Sequence, residues 1–182
     1  MGEDMSLSII QSTKFDFSPD YQAQVRNIFL ATAVPGANSE KLYAEWMSPY
    51  LNHHSDNFFL ALDASQRIVG YLNFSWNSHD FLMNHAFGSC LRSMQVFSDL
   101  YQDYPIHCHM NVEVGQQGKG IGSQLVRAFV GQLDPEIHYG WHVITSPSAD
   151  NRFFYQKMGL TNQVIRHNQA SSYLFMGQRL RD

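Results

Sequence analysis

The chain has 182 residues, 44% of them hydrophobic, with 12 basic and 16 acidic side chains and a net charge of −4. That length suits one domain with a substantial core, and a weakly negative chain without a Lys/Arg stripe argues against nucleic acid as a partner. Two cysteines exclude a disulfide scaffold, no apolar run reaches the roughly 18 residues of a membrane span, and the acidic residues 1–8 lack the apolar stretch of a signal peptide, so a cytoplasmic protein is expected.

Residues 7–15 read as a first strand. Ser18-Pro19-Asp20 then starts a helix: Ser18 can cap, Pro19 suits the first helical position and Asp20 favours the dipole. Tyr21, Val25, Ile28 and Phe29 recur at helical spacing up to Leu30, and Pro35-Gly36 ends the element. Ser39 opens a short helix carrying Leu42, Tyr43 and Trp46, which Pro49 stops; His53-His54 fall in a loop. Residues 58–62 and 68–76 are apolar strands joined by a hairpin loop at 63–67. Residues 79–100 read as a helix with Phe81, Leu82, His85, Phe97 and Leu100 on one face, interrupted at Gly88-Ser89 and ended by Tyr104-Pro105.

A strand follows over 107–114, then a helix over 123–132, a strand over 141–145 and a helix over 150–158 capped by Asp150 or Ser148. Residues 160–166 and 172–180 form a terminal pair around the turn 167–170. No repeat or linker interrupts the alternation, so residues 1–182 are expected to form a single α/β domain with a mixed sheet. Nine histidines occur, but no H-E-x-x-H or paired-cysteine spacing, so no metal site is expected.

Two features carry chemistry. The strand at 107–114 alternates, with Ile106, Cys108, Met110, Val112 and Val114 on one face and His107, His109, Asn111 and Glu113 on the other. Four successive polar residues on one face point to a cleft, although a wet groove would also hold them. Directly after it, Gln117-Gly118-Lys119-Gly120-Ile121-Gly122 leads into the helix beginning near Ser123. The first turn of a helix has N–H groups without internal partners, and glycines let an anion approach them. A phosphate or pyrophosphate site at 117–123 follows. The triphosphate loop needs Gly-Lys-Ser/Thr, and the dinucleotide fingerprint needs G-x-G-x-x-G; neither fits.

The loop resembles the Gln/Arg-x-x-Gly-x-Gly/Ala coenzyme A loop of the GNAT N-acetyltransferases. Asn151 to Leu160, with Tyr155 four residues before Gly159, resembles a second element of that family. Leu160 stands where Phe is usual, and the Asn-to-Tyr gap is shorter than in many members. The resemblance implies a three-layer α/β/α acyl-coenzyme A N-acyltransferase fold. It implies acetyl-coenzyme A as cosubstrate, and a small-molecule or peptide amine as acceptor. A homodimer is compatible with it.

By resemblance, backbone groups at Val112 and Val114 pair with the pantetheine arm. The pyrophosphate falls on Gln117, Gly118, Lys119, Gly120, Ile121, Gly122 and Ser123, with Lys119 either a point charge or a solvated loop lysine. Asn151 bonds the pantetheine amides or caps a helix. Tyr155 protonates the departing thiolate; its alternative is packing beside Phe153 and Phe154. The general base is His109 or His107, whose ordinary pKa lies near neutrality, or the carboxylate of Glu113. With His109, activity should rise with pH through an apparent pKa near neutrality. A member that binds coenzyme A or a peptide without catalysis is the alternative. Aromatic residues Trp46, Tyr50, Trp76, Tyr139 and Tyr173, with His53 and His54, are candidate walls of the acceptor pocket.

Overall fold

The computed structural model describes residues 7–33, 38–84, 90–168 and 171–181. Pro35-Gly36, His85 and Gly88-Ser89 lie outside them. Seven strands form one sheet flanked by helices, a mixed α/β fold. The strands are β1 (Ser8–Gln11), β2 (Phe58–Leu62), β3 (Ile68–Ser75), β4 (Ile106–Val112), β5 (Gly140–Thr145), β6 (Asn162–His167) and β7 (Ser172–Arg179). Their order is β1-β2-β3-β4-β5-β7-β6. β4 and β5 run parallel, with Ile106 opposite Trp141 and His107 opposite His142. The pairs β1–β2, β2–β3, β5–β7 and β6–β7 are antiparallel.

The chain divides into two compact units, Met1–Asn73 with Met110–Gln132, and Phe74–His109 with Leu133–Asp182. In the first, the opening strand, expected over 7–15, ends at Gln11. A 3-10 turn at Ser12–Lys14 follows, because the buried Ser12 hydroxyl accepts the Phe58 N–H at 3.3 Å and bends the chain away. Helix α1 (Pro19–Thr32) starts at Pro19 as expected, but the Ser18 side chain makes no cap bond. Helix α2 (Ser39–Trp46) is capped by Asn38, whose Oδ1 accepts the Lys41 N–H at 3.0 Å. Pro49 does not stop the chain. It sits in the first turn of a further helix, α3 (Ser48–His53), where a missing N–H costs nothing.

Helix α6 (Ile121–Val130) begins two residues before its expected start. It buries Ile121, Leu125, Val126 and Phe129, one face of the helix. Phe129 meets Phe59 of β2 edge to face, with ring centroids 6.5 Å apart. The close approach to β3 occurs at Gly70. A Cβ there would lie 3.2 Å from Ile121 Cγ2 and 3.3 Å from the Asn111 carbonyl oxygen. β3 thus turns Gly70 toward α6, and Tyr71 and Asn73 toward its opposite face, where Phe58 packs 6.3 Å from Tyr71.

In the second unit, the expected helix over 79–100 is broken into α4 (Ser78–Met83), α5 (Cys90–Gln95) and a 3-10 turn at Ser98–Leu100. Asn77 starts α4 by accepting the N–H groups of His79 and Asp80, and the chain is extended again at Asn84. The core is aromatic: Trp141, Phe97 and Phe175 are fully buried. Helix α7 (Asn151–Lys157) has Asp150 at its N-terminus without a side-chain cap bond.

Gly70 fixes how closely α6 and the loop before it approach the sheet. Gly70→Val should destabilise the fold by about 1–3 kcal/mol through overpacking. Denaturant unfolding checks this; an unchanged midpoint would mean that the contact relaxes freely.

Candidate functional site

The first unit carries the glycine loop and the start of α6. β4 ends with the Glu113 N–H bonded to the Val69 carbonyl at 2.9 Å, and Val114–Gln116 make a 3-10 turn. Gly118 (φ 77°) and Gly120 (φ 81°) are both left-handed, a backbone that explains glycine at these two positions. A Cβ at either would point into open space, so the loop face is unobstructed. Gly120 stands at the N-terminal boundary of α6, and its carbonyl accepts the Gln124 N–H at 3.1 Å. Among the described residues, no acceptor pairs with the backbone N–H groups of residues 118–123. Open, unpaired donors at the N-terminus of a ten-residue helix fit a pyrophosphate.

Side chains hold this loop. Gln117 folds back to give its Nε2 hydrogen to the Val112 carbonyl at 3.0 Å, so Val112 has one acceptor site occupied from within. Lys119 reaches Gln116 Oε1 at 2.9 Å and is exposed. Val114 is exposed. Glu113 pairs with Arg67 at 2.7 Å, and Arg67 also reaches Asp63 at 3.2 Å. Asn111 Nδ2 donates to the Tyr71 hydroxyl at 2.8 Å, and burial pushes that phenol's pKa up.

The second unit carries the other candidates. His107 is buried, with Nδ1 2.8 Å from the Ser78 hydroxyl. The Ser78 hydroxyl also lies 2.6 Å from the Pro105 carbonyl. His109 is half-buried, and removal from water pushes its pKa down to about 4. This imidazole is neutral at neutral pH, so the transition expected near neutrality is displaced well into acid.

Tyr155 is buried on α7. Its hydroxyl has no hydrogen-bond partner among the described residues. Burial raises its pKa, and the nearby Cys108 thiol adds to the effect. The phenol is therefore protonated and has a proton to give. Gly159 follows at φ 97°, and the Leu160 N–H closes the helix on the Tyr155 carbonyl at 3.1 Å. Asn151 Oδ1 accepts the Thr145 hydroxyl at 2.9 Å, tying α7 to the end of β5.

The candidates thus divide. Asn111, Val112, Glu113, Val114 and the loop 117–123 belong to the first unit; His107, His109, Asn151 and Tyr155 belong to the second. Of the aromatic wall candidates, Tyr50 is buried, Trp76 stacks on His138 at 5.1 Å, and Tyr139 carries Arg181 over its ring at 3.7 Å. Sequence reasoning missed two buried polar residues, Asn73 and His142, each in an apolar strand. His142 donates Nδ1–H to the Tyr104 carbonyl at 2.9 Å and stacks between Tyr101 and Phe175. Burial pushes its pKa down to about 3. Nothing but its place between Trp141 and Val143 in an apolar strand marks it in the sequence.

A model of the acetyltransferase (GNAT) family matches residues 22–160. No curated protein matches the chain significantly. Among solved structures, SsHAT is similar over 97% of this chain and 100% of its own, with a TM-score of 0.75 and 17% identity. The NatC complex bound to Gag peptide and CoA is similar over 96% of this chain and 99% of the matched one, with a TM-score of 0.61 and 12% identity. Ard1 from Thermoplasma volcanium is similar over 96% and 97%, with a TM-score of 0.58 and 17% identity. Identities this low establish a shared fold.

The depressed histidines make the fold acid-sensitive. An unfolded imidazole titrates near 6.5, whereas His142 in the folded chain stays neutral down to about 3. Below pH 6.5 the unfolded chain binds a proton that the folded chain refuses, so stability is lost as pH falls, by about 1.4 kcal/mol per pH unit for each such histidine. His142→Phe should therefore flatten the fall of Tm between pH 7 and pH 5. Parallel thermal scans check this, and superimposable slopes would remove His142 from the effect.

Proposed function

The chain belongs to the GNAT acetyltransferase family, and we propose that it transfers the acetyl group of acetyl-coenzyme A to a primary amine, with residues 1–182 acting as one catalytic domain. The observation that carries this is the set of unpaired N–H groups at 118–123, presented by an open glycine loop at the start of α6. Those donors would hold the pyrophosphate, and backbone groups near Val112 and Val114 would take the pantetheine arm. The cosubstrate supplies an acetyl thioester. The amine nitrogen bonds to the acetyl carbon, the carbon–sulfur bond breaks, and two protons must be placed.

Tyr155 supplies one, from a hydroxyl that burial keeps protonated, to the departing thiolate. The amine proton goes to a base. Of the three candidates His107, His109 and Glu113, we carry His109 forward as the base, because burial keeps its imidazole neutral and able to accept a proton. Its conjugate acid, with a pKa of about 4, holds a proton poorly, which suits relay to solvent through water rather than storage. A rise of kcat/KM near neutrality then reports the acceptor's own ammonium. The acceptor is a small-molecule or peptide amine. A screen of amines, amino sugars, amino acids and peptides for thiol release tests the proposal. Coenzyme A binding without release from any of them would leave a binding domain.

Two substitutions follow. Gly120→Val forces a β-branched residue into a left-handed backbone and covers the open loop face, so coenzyme A affinity should fall at least about 10-fold. Calorimetry showing wild-type affinity would displace the pyrophosphate from this loop. Tyr155→Phe should leave affinity intact and lower kcat by roughly 10²- to 10⁴-fold. Unchanged kcat in steady-state kinetics would reduce Tyr155 to packing.

A further inference from the structure

Among the described residues, buried side-chain nitrogen or oxygen atoms without any hydrogen-bond partner occur at Asn73 and His142. His142 has a single such atom, Nε2, and its other ring nitrogen is paired. Asn73 leaves both Nδ2 and Oδ1 unused, at zero solvent exposure. A carboxamide taken out of water without partners loses its hydration and gains nothing in exchange. On the β2 side its neighbours are aromatic. Phe58 of β2 is its cross-strand partner and is fully buried, Phe17 lies 5.3 Å from Phe58, and Tyr71 is two residues away on the same face. The polar neighbour Tyr71 shows what a satisfied group here looks like, since Asn111 donates to its hydroxyl at 2.8 Å. A leucine of nearly the same shape would suit this position better if the fold alone were served.

We propose that Asn73 selects the acceptor by hydrogen-bonding an amide group carried by the amine that is acetylated. This rests on the acetyltransferase reading. A primary carboxamide presents a donor and an acceptor side by side. Its full complement is another amide, whose carbonyl accepts from Nδ2 and whose N–H donates to Oδ1. An alkyl group satisfies neither atom, and a carboxylate satisfies only Nδ2. Sites that reserve buried polar groups for a substrate reject analogues that leave them unpaired. Because Asn73 has no exposure, an acceptor must open the packing over it, and that cost appears in KM.

The test compares wild type with Asn73→Leu, and with Asn73→Ala should the leucine pack poorly. Tm is measured without ligand. Thiol release from acetyl-coenzyme A is measured with two isosteric pairs, glycinamide against isobutylamine and β-alaninamide against isopentylamine. The expected result is a Tm raised by roughly 2–4 °C in the leucine variant. With it, a wild-type preference of roughly 10-fold or more for one of the amides, expressed in KM, should be lost in both variants. A leucine variant with lowered Tm that also keeps the wild-type discrimination between amide and alkyl amines would mean that the amide serves the fold, and would overturn the proposal. Turnover by the wild type without preference in either pair, or a preference kept by the variants, overturns the role of Asn73 alone. No release with any amine, with coenzyme A still bound, overturns the catalytic reading beneath it.

Discussion

The approach of α6 to β3 at Gly70 is the constraint on which the proposed anion site depends. The helix can present its N-terminal N–H groups in a fixed place only because Ile121 and Leu125 settle against a strand position that has no side chain. Burial of Val126 and Phe129 locks the same face. The left-handed backbone at Gly118 and Gly120 then turns the loop so that nothing of the protein stands over those donors. Packing energy from one side of the helix thus holds open a polar site at its end. The donors need no side-chain charge of their own, which is consistent with a chain of net charge −4.

Burial sets the proton chemistry as strongly as hydrogen bonding does. It holds Tyr155 in its protonated form and His109 in its neutral form, which are the states an acid and a base require before reaction. The same desolvation acts on His142, where it carries no assigned chemistry and makes the fold sensitive to acid. A depressed histidine is therefore a poor marker of catalysis by itself. What separates His109 from His142 is its place on the polar face of β4, with His107 and Asn111, rather than between two aromatic rings.

The glycine loop, the Tyr155 helix and the succession of strands and helices along the chain were legible because each is set by local chemistry: glycine backbone freedom, spacing in a short helix, and alternation in β4. Element ends were less legible. Pro49 reads as a stop but occupies a helix first turn, because only the neighbouring chain decides which side of a proline the helix lies on. The run 79–100 has helical spacing, yet Asn77 and Asn84 bound a short piece of it, since side-chain capping competes with periodicity. The pairings of Glu113 with Arg67 and of Gln117 with Val112 join residues 46 and 5 positions apart. The former is a tertiary contact that no spacing rule encodes.

Asn73 was invisible for a related reason. An asparagine in an apolar strand reads as a local exception, and whether it is paired is decided by side chains brought alongside it in the folded sheet. Tyr71, two residues earlier, finds Asn111 across the fold and is satisfied; Asn73 finds nothing. Among the described residues, buried side-chain nitrogen and oxygen atoms without a partner are confined to Asn73 and His142, and an unpaired carboxamide at zero exposure works against the stability of the fold. Natural sequences keep such conflicts where function needs them, and under the proposed function the two faces of β3 divide the work: Gly70 on one face admits the helix whose N-terminus would take the anion, and Asn73 on the other offers its unpaired atoms to the acceptor.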